Sequence, residues 1–463
     1  MSGVEAASAE RRDLEDVAAA LLEAAKAAGA EASDVIVAAS EALQVTARAG
    51  ALEAVERSET LEFGLRVLMA GEGGWREASV SASDPKPATL SALAERAVAM
   101  AREAPADPYG APPPKEARIA DPSAMARRLS LEAPGETPDA DALLESALGL
   151  EAAALAVAGV AQAEGASASA GRSHRVLAAS DGFLGAYGQT SFSRSISAVA
   201  GEGVGMERDY AYSVARSPSG LRSVASIGGE AGERAVKRLA PRRAPAGPAP
   251  VMFDRRVATS VVSGLLSALN GEQVARGSSF LAKRMGERIM PDGVDLIDDP
   301  SLTGGLGSRP FDGEGVAGAR KRLIADGVVS EWLLDHGAAR RLGLASNGSA
   351  ARGVSGGARP AASNAWLTVG EATPQRLMAE MGRGLLVTEM MGRGLNPVTG
   401  DYSRGASGFW IEEGEIAYPV SELTIAGSFL EMLSGMRAAD ELRFDGRIAS
   451  PSLLMEGLTL GSG

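Results

Sequence analysis

Few residues in this chain are suited to nucleophilic, acid–base or metal chemistry. It has two histidines, His174 in "AGRSHRVLAAS" and His336 in "WLLDHGAARRLG", and no cysteine. Without cysteine there are no disulfides, Cys-ligated zinc sites, iron–sulfur clusters or thiol nucleophiles, which fits a reducing compartment. Zinc needs three or four protein ligands brought together. Two isolated imidazoles are therefore expected to be surface or hydrogen-bonded structural groups. "GVSGG", 353–357, matches the G-x-S-x-G elbow around Ser355. That elbow needs a strand before it and a helix after it, and here the loop-like "ARPAASNAW" follows. "GEGVGM", 201–206, has Met206 where a dinucleotide fingerprint needs its last glycine, and no helix opens there.

Two stretches are richer. "TEMMGRGLNPVTGDYSRGASGFWIEEGEIAYPVSELTIAG", 388–427, sets Glu389, Asp401, Tyr402, Arg404, Phe409 and Trp410 among glycines. A Gly-lined, aromatic-edged strand suits an extended peptide that adds main-chain hydrogen bonds to a sheet edge. The plainer alternative is an ordinary β-hairpin turning at "EEGE". "VVSGLLSALNGEQVARGSSF", 261–280, has helical spacing up to Asn270-Gly271 and then a polar, Gly-marked loop. It reads either as a core helix or as an active-site helix without catalytic residues.

The elements that must position these residues divide at "APRRAPAGPAP", 240–250, with four prolines in eleven residues. Proline fixes φ and removes a donor, so this is the expected linker. Before it, apolar spacing predicts a helix over 11–28 ended by Gly29, a strand from 34, a hairpin at Gly71–Gly74 and helices over 88–103 and 138–158. Strands are expected from 160 to 227, with Asp181-Gly182 as a hairpin turn, and then a helix over 229–239. After the linker, short alternating runs with dense glycine predict a curved or barrel-like sheet with few helices. The expected fold class is α+β with two domains. Residues 1–240 form an α/β domain with a largely antiparallel sheet and flanking helices. Residues 241–250 are the linker, and 251–463 form a β-rich, barrel-like domain.

Charge and composition narrow the function. Apolar residues make up 45%, charged residues 23% and aromatics 4%, and net charge is −13. An acidic chain argues against direct nucleic-acid contact. The one compact basic cluster, "RLAPRR" at 238–243, is expected to be a solvated linker. No run approaches the roughly 18 apolar residues of a membrane span. The acidic N-terminal stretch is unlike a signal peptide, so a cytoplasmic location is expected.

"TGDYSRGASGFWIEEGEIAYPVSELTIAG", 399–427, resembles the TldD/PmbA family, and its PmbA/TldE branch in particular. "FDGEGV" at 311–316, "LIADGVVSEWLLD" at 323–335 and "SNG" at 346–348 agree with the resemblance. In that family, TldD-like subunits carry a zinc-peptidase H-E-x-x-x-H motif on the first helix of the C-terminal domain. PmbA-like subunits share the fold and pair with them in a complex that cleaves unfolded peptides and matures peptide antibiotics. An older description links the family to DNA gyrase modulation. Anchored on "ALNGEQVARGSSF", 268–280, the two histidine positions fall at Val262 and Ser267 and the glutamate at Ser263. None can serve as a zinc ligand or as the base that deprotonates zinc-bound water. Residues i and i+5 lie about 140° apart on a regular helix, so ligands at that spacing need a widened turn. Without them, a regular helix is expected, with Val261, Leu265 and Leu269 buried.

The resemblance implies a subunit with no metal or catalytic residue of its own and zinc in a TldD-like partner. It also implies an unfolded-peptide substrate and a possible homodimer when the chain is alone. Composition and resemblance together mark Glu389, Met390, Met391, Tyr402, Arg404, Phe409 and Trp410 as candidate peptide contacts. Two alternatives remain: a serine-type hydrolase using Ser355, and a regulatory protein that binds another protein.

Overall fold

The computed structural model describes residues 3–135, 137–392 and 394–462. Helix α1 (Gly3–Ala27) buries Leu14, Ala18, Leu21 and Ala25, the one-face spacing seen in sequence. Helix α2 (Pro87–Glu103) starts on Pro87, where a missing N–H is harmless. Helices α3 (Pro122–Leu129), α4 (Ala140–Leu155) and α5 (Val224–Lys237) follow. The cap Ser223 accepts the Ser226 N–H, so α5 starts five residues before its expected start at 229.

Six strands form one antiparallel sheet in the order β3-β2-β1-β4-β5-β6. They are β1 (Ala32–Arg48), β2 (Ala51–Gly71), β3 (Gly74–Ala82), β4 (Val160–Ala179), β5 (Leu184–Ala200) and β6 (Glu207–Ala215). Helices α1 and α2 pack with β1–β3 around Phe63, Leu65 and Val67. Helices α4 and α5 pack with β4–β6 around Ile196, Ala198 and Ile227. The opposite face buries Ile36 and Leu177 against Phe311 of the second half.

The second half is built around a closed barrel. Strands β7 (Gly247–Phe253), β14 (Gly384–Met391), β15 (Asp401–Glu412), β16 (Glu415–Ser428) and β19 (Leu453–Ser462) pair in sequence, and a β16–β19 pairing closes the ring. Closure leaves these strands without a free edge. Glu413 (φ 52°) and Gly414 (φ 80°) both take left-handed conformations, the two-residue turn that joins β15 to β16. β17 (Arg437–Ala438) pairs with β19 outside the ring. A second sheet orders β10 (Val328–Val329), β9 (Lys321–Ala325), β8 (Leu296–Asp298), β13 (Ala365–Leu367) and β18 (Ile448–Ala449). β11 (Ala350–Ala351) and β12 (Arg359–Pro360) make a small hairpin. The helices are short: α6 (Arg255–Ala268), α7 (Gly271–Ala275), α8 (His336–Leu342), α9 (Pro374–Met381) and α10 (Phe429–Ser434).

Two expectations need correction. β7 begins at Gly247, so the last four residues of the 241–250 linker are strand. Pro248 and Pro250 are tolerated because β14 pairs only with Val251–Phe253, leaving one side of this stretch without a ladder. The basic cluster is solvated only in part: Arg242 and Arg243 are exposed as expected, but Arg238 is not. Arg238 is buried and ion-paired with Asp209 and Glu389, and Arg242 lies 5.0 Å over the Tyr418 ring while its N–H donates to the Pro419 carbonyl.

Candidate functional site

Helix α6 carries the positions at issue. Asp254 caps it by accepting the Arg256 N–H at 2.9 Å. The helix is α-helical from Arg255 to Ala268, and Val261, Leu265 and Leu269 are buried as the spacing predicts. Val262 is fully buried in the same core. Ser263 and Ser267 are exposed on the other face. The Ser263 hydroxyl donates to the Thr259 carbonyl (2.8 Å), and Ser260 donates to Val257 (2.7 Å). At Gly264 a Cβ would come within 3.0 Å of Leu395 and 3.1 Å of Phe429, so these side chains cross the helix closely over its glycine.

The zinc implied by the family resemblance does not fit this helix. One of its three positions points an apolar side chain into the core. The other two offer neutral hydroxyls, and that of Ser263 is committed to its own helix. Zinc sites are built from imidazole, thiolate or carboxylate donors. Among the described residues, no group of three or more His, Cys, Asp or Glu could hold a metal ion.

The loop after α6 keeps the helix end in place. The buried Ser279 hydroxyl donates to the Ala268 carbonyl at 2.6 Å. Asn270 caps α7 by accepting the N–H groups of Glu272 and Gln273, and its side-chain amide donates to the Pro360 carbonyl.

The seven candidate peptide contacts do not share one surface. Trp410 is buried in the core that contains α6, and its indole N–H donates to Glu412 at 3.2 Å. Phe409 points to the opposite face of β15, where Met252, Leu386 and the α9 residue Leu377 enclose it. Tyr402 is buried, stacks on Phe429 with centroids 6.0 Å apart and donates to the Met390 sulfur at 3.3 Å. Burial raises its phenol pKa. Glu389 is half-buried in its ion pair with Arg238. Met391 is exposed, and Arg404 is half-buried with its stem against Gly394. The region thus holds buried aromatics on both faces of β15 and three more open side chains, Glu389 and Met391 on one face of the β14–β15 pair and Arg404, beside Tyr402, on the other.

Ser355 lies exposed in the loop joining β11 and β12, with no helix after it. A Cβ on Gly64 would overlap the Val354 carbonyl, so β2 needs glycine where this loop touches it. His174 is buried on β4, while His336 is the first residue of α8 and donates its backbone N–H to Glu314 at 2.8 Å. Burial lowers the His336 pKa, and Arg340 and Arg66 add to the effect.

Sequence reading missed a cluster of ionisable groups at the seam between the six-stranded sheet and the second half. A cavity of about 160 Å³ there is lined by Arg66, Glu77, Glu272, Glu314, Asp335 and Arg341, among others. Beside it, Asp34 of β1 accepts two hydrogen bonds from Arg66 of β2, at 2.9 and 2.5 Å, and pairs with Arg352. Burial would raise the Asp34 pKa, but the two guanidiniums outweigh it and hold it at about 2. The loop 311–316 supplies Asp312 and Glu314. Asp312 accepts the N–H groups of Glu314, Val316 and Ala350. Burial pushes Glu314 up to about 8, helped by the charge of Asp312 and opposed by Arg66. Asp335 caps α8 by accepting the Ala338 N–H, and burial pushes it up to about 6. Perturbed carboxylates beside a cavity are a common mark of a working site, though structural ion networks produce them too. The one signal in the sequence was two acids two apart among the glycines of "FDGEGV".

Comparison with known proteins gives one consistent set of relatives along the whole chain. Three family models match in succession: PmbA/TldA metallopeptidase domain 1 over 33–101, the central domain over 133–239 and the C-terminal domain over 246–462. The chain is 36% identical to Metalloprotease PmbA of Escherichia coli O157:H7 over 435 residues, covering 93% of this chain and 92% of that protein. It is 34% identical over 429 residues to a PmbA homolog of Haemophilus influenzae, covering 90% and 89%. The fold matches a Bacteroides thetaiotaomicron protein whose name refers to a modulator of DNA gyrase, with TM-score 0.85, 24% identity and coverage of 97% and 99%. It also matches TldE from Thermococcus kodakarensis, with TM-score 0.77, 20% identity and coverage of 96% and 100%.

Proposed function

Because the chain belongs to the PmbA/TldD metallopeptidase family, we propose that it is the non-catalytic partner of a TldD-like zinc peptidase subunit. The partner supplies the zinc, and the two chains together enclose and cleave unfolded peptides in the cytoplasm. The observation that supports this reading is the state of α6. At the three motif positions it carries a buried Val262 and two hydroxyls, Ser263 and Ser267, that cannot replace imidazole or carboxylate. The relatives' names speak of metalloproteases, so the absent donors point to chemistry supplied from another chain.

In this reading the more open side chains of Glu389, Met391 and Arg404 contact peptide, while Tyr402, Phe409 and Trp410 hold their strands in place. The test measures bound zinc and peptidase activity for the chain alone, for a TldD-like chain alone and for the mixture. Activity in the mixture, with zinc at one ion per TldD-like chain, is the expected result. Stoichiometric zinc with activity in this chain alone sinks the reading. Failure of the two chains to associate, with tight binding to some other protein, favours a regulatory role instead.

A further inference from the structure

The free edge of the six-stranded sheet gives the first half of this molecule a pairing surface that the closed barrel lacks. β3 pairs with β2 only from Phe63 to Gly71, and β1 occupies the other side of β2 from Ala51 to Leu68. Residues 51–62 therefore present one side to no strand among the described residues. Ten of these twelve residues are exposed; Ala54 and Leu61 are half-buried. Every second residue of such an edge points both its N–H and its C=O outward, about six donor–acceptor pairs here.

The edge is held ready. Ala49 (φ 52°) and Gly50 (φ 74°) form the two-residue turn between β1 and β2. The Gly50 N–H donates at 2.9 Å to the carboxylate of Glu151, which is buried on α4. The hairpin tip is thus tied to the helical layer, and a partner strand would not have to order it first.

The side chains select what can pair there. Residues 48–62 contain Glu53, Glu56, Glu59 and Glu62 against Arg48 and Arg57. Arg48 meets Glu53 at 3.4 Å and Arg57 meets Glu59 at 2.8 Å, both pairs exposed and so weakly held. Glu41 on β1 lies directly opposite Glu59 and adds a further negative charge. Glu53 is the extra residue of a bulge between the pairs Thr46–Ala54 and Ala47–Leu52. Leu52 and Val55, about half exposed, offer apolar contact between the charges. Two copies pairing through this edge would set glutamates against glutamates, which is destabilising. Bulges and charges of this kind guard an edge against its own copies, and the same charges favour a partner of opposite sign.

We propose that residues 51–62 of β2 are a docking edge for an extended segment of another protein that carries basic side chains at alternate positions, which meet Glu56 and Glu62 on one face of the sheet or Glu59 on the other. The segment adds a seventh strand to the sheet, with main-chain hydrogen bonds for affinity and the glutamates for selection.

The test uses a fluorescent ten-residue peptide of alternating lysine and valine, its glutamate-for-lysine counterpart, and the lysine peptide with every backbone nitrogen methylated. Binding to the full chain is followed by anisotropy. The lysine peptide should bind, weakening as salt rises, and the other two should not. In the variant Glu53→Lys/Glu56→Lys/Glu59→Lys, at exposed positions that leave folding intact, the lysine peptide should weaken at least tenfold and the glutamate peptide should gain affinity. Equal affinity for wild type and variant overturns the proposal, as does undiminished binding of the methylated peptide. A wild-type dimer that the lysine peptide cannot compete away, and that the triple variant dissolves, would assign the edge to a second copy and overturn it as well.

Discussion

Two carboxylate sites lie along the same seam and behave in opposite ways. Asp34 sits between the guanidiniums of Arg66 and Arg352 and is held near pKa 2. Glu314 is equally buried, but the charge that acts on it most strongly is that of Asp312, another acid, and its pKa rises to about 8. Arg66 touches both environments, ion-paired with Asp34 and lining the cavity that Glu314 also lines. Burial is common to both sites. The sign of the neighbouring charge decides whether the carboxyl is ionised at neutral pH.

The difference sets four expected outcomes. Asp34→Asn leaves the buried Arg352 without its ion-pair partner and Arg66 with only Glu77, at 3.5 Å. It should destabilise the fold by about 3–5 kcal/mol in urea unfolding near pH 7, and a loss below about 1 kcal/mol would break the contrast. In the wild type the folded Asp34 pKa lies below its ordinary 3.8, so its stabilisation is present above that pH and is lost as pH falls through about 2. The shift corresponds to about 2 kcal/mol, and Asp34→Asn should remove this acid limb.

Arg66→Lys keeps the charge but loses the two-pronged contact with Asp34. It should destabilise by about 2 kcal/mol, and Glu314 should titrate still higher by carboxyl NMR. Glu314→Gln should act in the other direction. The folded Glu314 pKa lies above its ordinary 4.5, so the native state holds the proton more tightly and stability falls as pH rises from there to about 8. The glutamine carbonyl can still accept the His336 N–H. The variant should therefore match wild type near pH 4 and exceed it by roughly 1–3 kcal/mol at pH 9; a variant no more stable at pH 9 would mean that Glu314 has a cationic partner. The smallest effect is expected at Asp335. Asparagine retains the cap to Ala338, so Asp335→Asn should change stability at pH 7 by less than about 1 kcal/mol, while removing a titration near pH 6 that NMR can follow.

Much of the architecture was legible in local patterns. The faces of α1 and α2, the hairpin turns at Asp181-Gly182 and Glu413-Gly414, and the inward face of α6 all follow from spacing and turn chemistry. The early start of α5 and the strand within the proline stretch were missed because a serine cap and a one-sided ladder override simple propensity. The aromatic residues of β15 were grouped by proximity in the chain. Successive residues of a strand face opposite ways, so Phe409 and Trp410 entered different cores.

The sequence by itself determined what chemistry α6 can and cannot offer, because the identities at 262, 263 and 267 exclude metal donors in any conformation. It also determined the family, since the 399–427 run is specific. Only the tertiary structure decided which carboxylates are ionised. Asp34 and Arg352 are 318 residues apart in the chain, and the loop holding Glu314 meets Arg66 only when the two halves close. A pKa depends on distances and on the exclusion of water, and neither exists until those distant segments are packed together.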